Sequence, residues 1–291
     1  MSNLRNPYAD FDAALQTAFD ANLLAALLED VGNGDLTGKL VPNDERVRAR
    51  VIVREDAVLC GAPWFEGVML ALERSTVVDW QYAEGDMMKT GSVVCTIEGF
   101  PRALLTAERS ALNFMQMMSG VATATRKFVD VVAGTKAAIL DTRKTLPGLR
   151  IAQKYAVRVG GGHNHRMGLY DAVMLKENHI RAAGSLTSAV HAARAMHASL
   201  PLIVEVETLD QLREALDVGC DRILIDDFDA ATRREAVRIA GGRIPLEVSG
   251  GVDIDGVRAI AEDGVDCISI GGLTKHIRAV DLSFKLGPPP R

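Results

Sequence analysis

The sequence predicts an α/β protein in two parts, a mixed α+β scaffold followed by an incomplete parallel α/β barrel. Two observations support this prediction. Up to about residue 105, helical spacing and strand-like alternation follow each other, and no chemically active groups gather in one place. From about residue 107, short apolar runs alternate with helical stretches at a regular spacing, which is typical of repeated βα units.

The first part has clear local patterns. Its predicted elements are helices over residues 7–30 and 62–75 and strands over residues 46–56, 75–86 and 91–99. Gly32 and Gly34 interrupt the first helical pattern. In residues 46–56, arginine alternates with valine and alanine, so this strand is expected to have one wet face. We expect this part to be a scaffold.

The second part begins with a long helix over residues 107–132, or two helices divided at Gly120. Strand-like runs follow over residues 137–144, 172–176, 202–207, 222–227, 246–251 and 267–272. Glu205, Asp226, Ser249 and Gly271 mark four of these runs and are 21, 23 and 22 residues apart. Strands buried on both faces read as apolar runs, so the pattern predicts a parallel sheet. Six such runs are visible, fewer than the usual eight, and the barrel is therefore expected to be incomplete.

Composition narrows the class of protein. The chain has 291 residues, a formal net charge of −5 and no apolar run near the roughly 20 residues of a membrane helix. The N-terminal residues have no basic-then-apolar signal pattern. Four scattered cysteines without a C-x-x-C pair indicate reduced thiols and a cytoplasmic protein. The negative charge argues against a nucleic-acid partner.

Polar residues follow the predicted strands, and in a βα barrel all of them would face one mouth. The expected set is Asp141, Arg143, Lys144, Lys176, Glu205, Asp226, Ser249 and Gly271, with His165 and Arg166 from the glycine-rich loop before Lys176. Residues 141–181 carry eight basic and three acidic side chains, although the protein is acidic. A substrate with carboxylates fits this basic side, whereas Mg²⁺ and hydroxyls fit Glu205 and Asp226. The glycine-rich ends of the last two strands suit a phosphate.

Other interpretations of the same residues stay open. His163 and His165 could be zinc ligands, although alternate residues in a glycine loop are weak support. Lys176 could form a Schiff base, as in a barrel lyase. The basic segment could belong to a protein that binds polyanions without catalysis, although the net charge of −5 counts against this.

Six stretches in this order resemble the quinolinate phosphoribosyltransferase family: DTRKTLPGLR, GGGHNHRMGLYDAVMLKENH, EVETLDQLREAL, DDF, EVSGGV and SIGGLT. The resemblance runs through nearly the whole chain and includes LLEDVGNGDLT and ERSALNFMQMMSGVAT. It implies an enzyme that joins quinolinate to 5-phosphoribosyl-1-pyrophosphate with Mg²⁺ and releases pyrophosphate and carbon dioxide. The product would be nicotinate mononucleotide for NAD synthesis.

The resemblance also implies a fold, an assembly and roles for individual residues. It implies an N-terminal α/β sandwich domain over residues 1–107, which a returning strand within residues 281–291 completes, and an incomplete α/β barrel over residues 108–280. It implies a homodimer in which Arg109 reaches the partner's site. It assigns quinolinate binding to Arg109, Arg143, Lys144, His165, Arg166 and Lys176, and catalysis to Lys144, Lys176, Glu205 and Asp226. Glu205 and Asp226 would also serve the metal or ribose, and phosphate binding falls to these two acids with Ser249, Gly250, Gly251, Gly271 and Gly272.

A second family of similar sequence is associated with molybdenum transport and has no defined activity. The complete dicarboxylate-binding set in this chain argues against that alternative.

Overall fold

The structure, a computed structural model, describes residues 12–287. Its helices are α1 (Ala13–Asp30), α2 (Ala62–Leu72), α3 (Pro101–Val131), α4 (Arg150–Val159), α5 (Glu177–Ala183), α6 (Leu186–Met196), α7 (Leu209–Val218), α8 (Ala230–Ala240), α9 (Val257–Glu262) and α10 (Gly272–Lys275). Its strands are β1 (Val47–Val53), β2 (Ala57–Val58), β3 (Val77–Trp80), β4 (Met87–Met88), β5 (Val93–Gly99), β6 (Ala138–Leu140), β7 (Val173–Leu175), β8 (Leu202–Val206), β9 (Arg222–Asp226), β10 (Leu246–Ser249), β11 (Cys267–Ser269) and β12 (Leu282–Leu286). Within residues 12–287, no helix is both long and apolar enough to span a membrane.

The chain divides into two compact units. The first contains the described residues up to Arg126, residues 146–161 and the described residues from His276 on. The second contains residues 127–145 and 162–275. The domain boundary expected at residue 107 lies inside α3, and the first unit also includes α4.

An antiparallel sheet in the order β12-β1-β5-β3 forms the first unit's main layer. The alternation expected in β1 is confirmed, since Val47, Ala49 and Val51 are buried and Arg48 is exposed. The returning strand is also present, because β12 pairs with β1 from Leu282 onward. One face of this sheet therefore supplies the apolar surface on which the helices of the unit pack.

Two helices of the first unit differ from the sequence predictions. Residues 7–11 of the first predicted helix lie outside the described residues, and α1 begins after Asp12, whose carboxylate accepts a bond from the Leu15 amide at 2.8 Å. Of the two alternatives for the long second-part helix, the single helix is confirmed, because α3 continues through Gly120 to Val131, although it begins earlier than predicted, at Pro101. A Cβ at Gly120 would lie 2.3 Å from the carbonyl oxygen of Arg278, so the glycine permits a close backbone approach.

The second unit is a parallel sheet in the order β6-β11-β10-β9-β8-β7, with helices between successive strands. His163 adds a parallel bridge to Leu140 at the end of β6, so the glycine-rich loop occupies the next position around the sheet. This gives the incomplete barrel that the repeat predicts. Side chains alternate along each strand, so every second residue of β9 and β10 faces the interior.

Glu84 is a buried acid in the first unit, with 4% of its surface exposed. Its carboxylate accepts bonds from the amides of Gly61 at 2.6 Å and Ala62 at 3.0 Å, at the start of α2. Burial outweighs these bonds and raises the pKa of Glu84 to about 7.

This raised pKa predicts a pH-dependent stability. The stability contributed by the protonated Glu84 is fully present below the pKa of the unfolded state, about 4.5. It is lost as the pH rises through about 7, because the Glu84 carboxyl of the unfolded chain releases its proton at lower pH than that of the folded protein. Relative to Glu84→Gln, wild-type protein should lose about 3 kcal/mol of unfolding free energy between pH 4.5 and 8. Urea unfolding of both proteins across this range measures the difference. A difference that stays constant with pH would contradict the assignment.

Candidate active site

The carboxyl ends of the parallel strands carry the predicted polar residues. Glu205 is the penultimate residue of β8, Asp226 and Ser249 end β9 and β10, and Lys176 directly follows β7. Gly271 follows β11 and is the last residue before α10. The second unit therefore brings these groups to one edge, as expected for a barrel mouth.

An acidic cluster with a lysine lies at this mouth. The Lys176 ammonium bonds the carboxylate of Glu205. Burial raises the pKa of Asp226 above its ordinary value, and the nearby charges of Glu205 and Asp227 raise it further, whereas Lys176 and Lys144 oppose the rise. The other four side chains thus lie close enough to Asp226 to affect its ionisation.

Asp227 was not predicted as a site residue. It has a φ of 58°, and among residues 12–287 it is the one non-glycine residue with positive φ. Aspartate tolerates this left-handed conformation better than most residues, and such strain is commonly found at functional sites. The sequence shows an aspartate pair after β9, but spacing alone does not show that the second member turns the chain.

Glycines bring two loops against the charged groups. A Cβ at Gly250 would lie 3.4 Å from Oδ1 of Asp226, and a Cβ at Gly271 would lie 2.8 Å from Cδ of Lys144. Gly250 and Gly251 also have positive φ values of 100° and 55°. Lys144 is fixed from its other side, because its carbonyl accepts a bond from the Thr274 hydroxyl at 2.9 Å. The glycines predicted to bind phosphate thus line the same mouth as Asp226 and Lys144.

Two guanidinium groups lie near each other on the basic side. Burial lowers the pKa of Arg166, and the charge of Arg143 lowers it further, whereas Asp171 opposes the shift. Arg166 Nη1 donates to the carbonyl of Ala172 at 3.2 Å. Two cations that repel each other are stabilised by an anion between them, so this side suits a carboxylate-bearing ligand.

Asp141 holds the glycine-rich loop and does not face the mouth. Its carboxylate is fully buried and accepts bonds from Asn164 Nδ2 at 2.6 Å and from the His165 amide at 2.8 Å. The sequence pattern predicts this acid among the mouth residues. The structure instead places it behind them, where its charge fixes the backbone of residues 164–165.

His165 is also turned inward, with 8% of its surface exposed. Its Nδ1 accepts a bond from the Arg166 amide at 2.7 Å, and its Nε2 lies 3.3 Å from Oε2 of Glu247. Glu247 is fully buried in β10 and bonds Arg222 at 3.0 Å. Glu247 was missed in the sequence, although an acid two residues before Ser249 on an apolar strand faces the barrel interior.

Arg109 lies in the first unit, whereas the mouth residues belong to the second. Its side chain is 60% exposed and lines a cavity of about 620 Å³ between α1, α3 and residues 147–149. Asn22, Asp30 and Asn113 line the same cavity. The predicted quinolinate-binding residues are therefore divided between the two units.

Residues 12–287 contain no group of three or more histidine, cysteine or acidic side chains placed to hold a metal ion. Glu205 and Asp226 form a pair of carboxylates at the mouth, with Asp227 adding charge. Mg²⁺ is commonly bound by one or two carboxylates together with substrate phosphates and water. The residues present fit that mode of binding. They do not form a cage that would hold a metal without substrate.

Comparisons with known proteins agree along the chain. Residues 35–119 match the model of the quinolinate phosphoribosyl transferase N-terminal domain, and residues 121–285 match that of the C-terminal domain. The chain is 41% identical over 287 residues to nicotinate-nucleotide pyrophosphorylase [carboxylating] of Mycobacterium leprae, covering 95% of this chain and 98% of that protein. It is 39% identical over 258 residues to a probable protein of the same name from Bacillus subtilis, covering 88% and 89%.

Solved structures give the same result. The nicotinate-nucleotide pyrophosphorylase from Francisella tularensis superposes with a TM-score of 0.91 at 42% identity, covering 93% of this chain and 96% of that one. NadC from Streptococcus pyogenes superposes with a TM-score of 0.91 at 36% identity, covering 96% and 99%. The fold is thus shared over nearly the full length of these proteins.

Proposed function

The chain belongs to the quinolinate phosphoribosyltransferase family, and we propose that it joins quinolinate to 5-phosphoribosyl-1-pyrophosphate in its barrel mouth. The reaction forms nicotinate mononucleotide for NAD synthesis and releases pyrophosphate and carbon dioxide. One observation carries this proposal. Arg143, whose charge acts on Arg166, is next in the chain to Lys144, whose charge acts on Asp226 of the Lys176–Glu205–Asp226 cluster.

Quinolinate binds on the basic side of the mouth in this proposal. It is a dianion with adjacent carboxylates, and arginine forks pair with such groups through two parallel hydrogen bonds. Arg143 and Arg166 supply the forks, Lys144 and Lys176 add point charges, and His165 supports the site beside Arg166. The repulsion between the two arginines is relieved when the dianion binds.

The phosphoribosyl group binds on the acidic and glycine-rich side. Glu205 and Asp226 face the ribose hydroxyls and would hold Mg²⁺, directly or through water. The metal, when bound, supplies positive charge that stabilises the leaving pyrophosphate. Ser249, with Gly250, Gly251, Gly271 and Gly272, supports phosphate binding, because backbone amides can approach an anion closely where side chains are absent.

The reaction depends more on how the protein positions the two substrates than on covalent bonds to protein side chains. The pyridine nitrogen attacks the ribose carbon that pyrophosphate leaves, and the ring becomes cationic. The ring then accepts the electron pair of the adjacent carbon–carboxylate bond as carbon dioxide departs, and that carbon takes up a proton. Arg143 and Arg166 hold the carboxylates and orient the nitrogen, and exclusion of water from the mouth favours loss of the charged group.

We propose that the working molecule is a homodimer that donates Arg109 to the partner's mouth. Support comes from exposed apolar side chains in the same unit as Arg109. Leu24 and Leu28 on α1 are 61% and 65% exposed, and Leu36 and Leu40 in the following loop are 82% and 83% exposed. Grouped apolar exposure is typical of an interaction surface. A twofold contact would use the same surface of both subunits and complete two sites at once.

For the compartment, we propose the cytoplasm. The four cysteines are unpaired, and Cys60 and Cys95 are fully buried. Unpaired thiols are typical of proteins in a reducing environment. Plant relatives are named as mitochondrial or chloroplastic proteins, so the family occupies more than one compartment.

The proposed activity is tested by mixing purified protein with quinolinate, 5-phosphoribosyl-1-pyrophosphate and Mg²⁺. Proton NMR should detect nicotinate mononucleotide, and separate assays should find pyrophosphate and carbon dioxide in equal amounts. Chelation of Mg²⁺ should stop the reaction, and fresh Mg²⁺ should restore it. If no nicotinate mononucleotide forms with folded, dimeric protein, the proposed function is wrong.

Glu205→Ala and Asp226→Ala are expected to lower Mg²⁺-dependent turnover on the order of 10- to 100-fold. Quinolinate binding should be retained, because both acids serve the metal and ribose side. Turnover measured against Mg²⁺ concentration, with calorimetry of quinolinate binding, separates the two effects. Asp217→Ala is a matched control, since Asp217 is 80% exposed on α7. Full turnover of both variants at limiting Mg²⁺ would show that the carboxylates take no part.

A further inference from the structure

We infer that Glu247 is a positioning residue for the quinolinate site and acts through the His165 ring on the backbone of Arg166. The inference rests on the proposed function, since it assigns Arg166 to quinolinate. It adds a residue that lies inside the barrel, below the mouth. Glu247 does not contact the substrate in this account.

Glu247 occupies an interior position of the barrel. Ser249 ends β10 at the mouth, and alternation along the strand places Glu247, two residues earlier, on the same interior side. The side chain is fully buried, although a buried carboxylate is costly unless it is bonded. Its Oε2 lies 3.0 Å from Arg222 Nη1 and 3.3 Å from His165 Nε2. The acid is therefore held between an arginine on β9 and the histidine of the glycine-rich loop.

The bonds of the His165 ring define its protonation. Nδ1 accepts a hydrogen bond from the Arg166 amide at 2.7 Å, so Nδ1 carries no proton. In the neutral ring the proton is then on Nε2, which points to Glu247. Both ring nitrogens are directed to groups of the protein, and the ring links Glu247 to the Arg166 backbone.

The link from Glu247 through His165 is needed because the charge of Arg143 repels the Arg166 guanidinium. Arg143 lies near enough to lower the pKa of Arg166, after the effect of burial. Two contacts oppose displacement of the loop: the His165 amide bonds Asp141 at 2.8 Å, and the His165 ring faces Glu247. The first fixes the backbone of residue 165, and the second fixes the ring that receives the Arg166 amide. Together they position the guanidinium for a bidentate contact.

The charge state of Glu247 is consistent with this role. Burial alone would raise its pKa, but the contact with His165, together with bonds from Ser269 and Arg222, brings the pKa below its ordinary value. Glu247 is thus ionised at neutral pH, and its negative charge lies 3.3 Å from Nε2 of His165.

Two substitutions at residue 247 separate the effect of an acceptor for His165 Nε2 from the effect of side-chain volume. Glu247→Gln keeps an acceptor for Nε2, whereas Glu247→Leu removes it at similar size. Glu247→Leu is expected to raise the KM for quinolinate about tenfold and to change the KM for 5-phosphoribosyl-1-pyrophosphate less than about twofold. Glu247→Gln should retain most of the quinolinate affinity. Glu84→Gln makes the same chemical change at a buried acid of the first unit and should leave both KM values unchanged.

Equal KM values for wild type and Glu247→Leu, with nicotinate mononucleotide formed by both, would overturn the inference and leave the proposed function intact. Absence of product from wild-type protein would instead count against the proposed function. A second measurement depends on neither activity nor a stable variant. Nitrogen NMR of histidine-labelled wild-type protein should show a His165 ring protonated on Nε2, and a ring protonated on Nδ1 alone would also overturn the inference.

Discussion

Arg166→Ala is expected to weaken quinolinate binding by about 2 to 5 kcal/mol and to leave 5-phosphoribosyl-1-pyrophosphate binding nearly unchanged. The guanidinium is half-buried beside Arg143, and the substrate carboxylate that it pairs would lose a bidentate partner. Most of this loss arises because a desolvated charge is left unpaired. Calorimetry with each substrate separately gives both affinities.

Arg181→Ala is the control for this prediction. Arg181 belongs to the same basic segment, but its side chain is 75% exposed on α5 and pairs with Glu177. An exposed pair of this kind contributes little, so quinolinate affinity should not change. If Arg166→Ala binds quinolinate as tightly as wild type, Arg166 does not hold a substrate carboxylate.

Arg109→Ala and Lys176→Ala are each expected to inactivate the enzyme, yet to restore activity when their subunits are mixed. Arg109 lies in the first unit and Lys176 at the mouth of the second. If each subunit donates Arg109 to its partner, a mixed dimer has one site with both lesions and one with neither. Random reassortment makes about half of the dimers mixed, so roughly a quarter of wild-type activity should return.

The two variants are denatured and refolded together, and product is measured against each variant refolded alone. Mass spectrometry establishes that mixed dimers have formed. Background activity in the presence of mixed dimers would show that Arg109 does not act across the interface. Each variant refolded with wild-type subunits is the control for recovery of folded protein.

The barrel and its mouth could be predicted because their pattern is local and repeated. A strand buried on both faces must be an apolar run, and parallel strands place their carboxyl ends on one edge. The spacing of Glu205, Asp226 and Ser249 therefore predicts that they lie at the same edge of the sheet, as the structure shows. The prediction of the returning strand β12 came from the family resemblance, because no local sequence pattern indicates its pairing with β1.

Features that depend on distant contacts could not be predicted in this way. The sequence left open whether Gly120 divides α3, and its small size instead permits a close approach by the Arg278 backbone. Asp141 follows a strand, as mouth residues do, yet it turns inward to bond the His165 amide. The interior position of Glu247 follows from alternation, whereas its partners His165 and Arg222 are distant in sequence. The roles of Asp141 and Glu247 depend on their burial and on their bonding partners. Neither property can be predicted from the spacing of these acids in the sequence.

The relative turnover of quinolinate and nicotinate tests whether the mouth binds two adjacent carboxylates of one substrate. Nicotinate lacks the carboxylate that the reaction removes, and its binding would desolvate the cations of the mouth without giving each a partner, at a cost on the order of 3 kcal/mol or more. We expect kcat/KM for quinolinate to exceed that for nicotinate by about 100-fold or more, with nicotinate mononucleotide as the measured product. Comparable values of kcat/KM for the two substrates would contradict it.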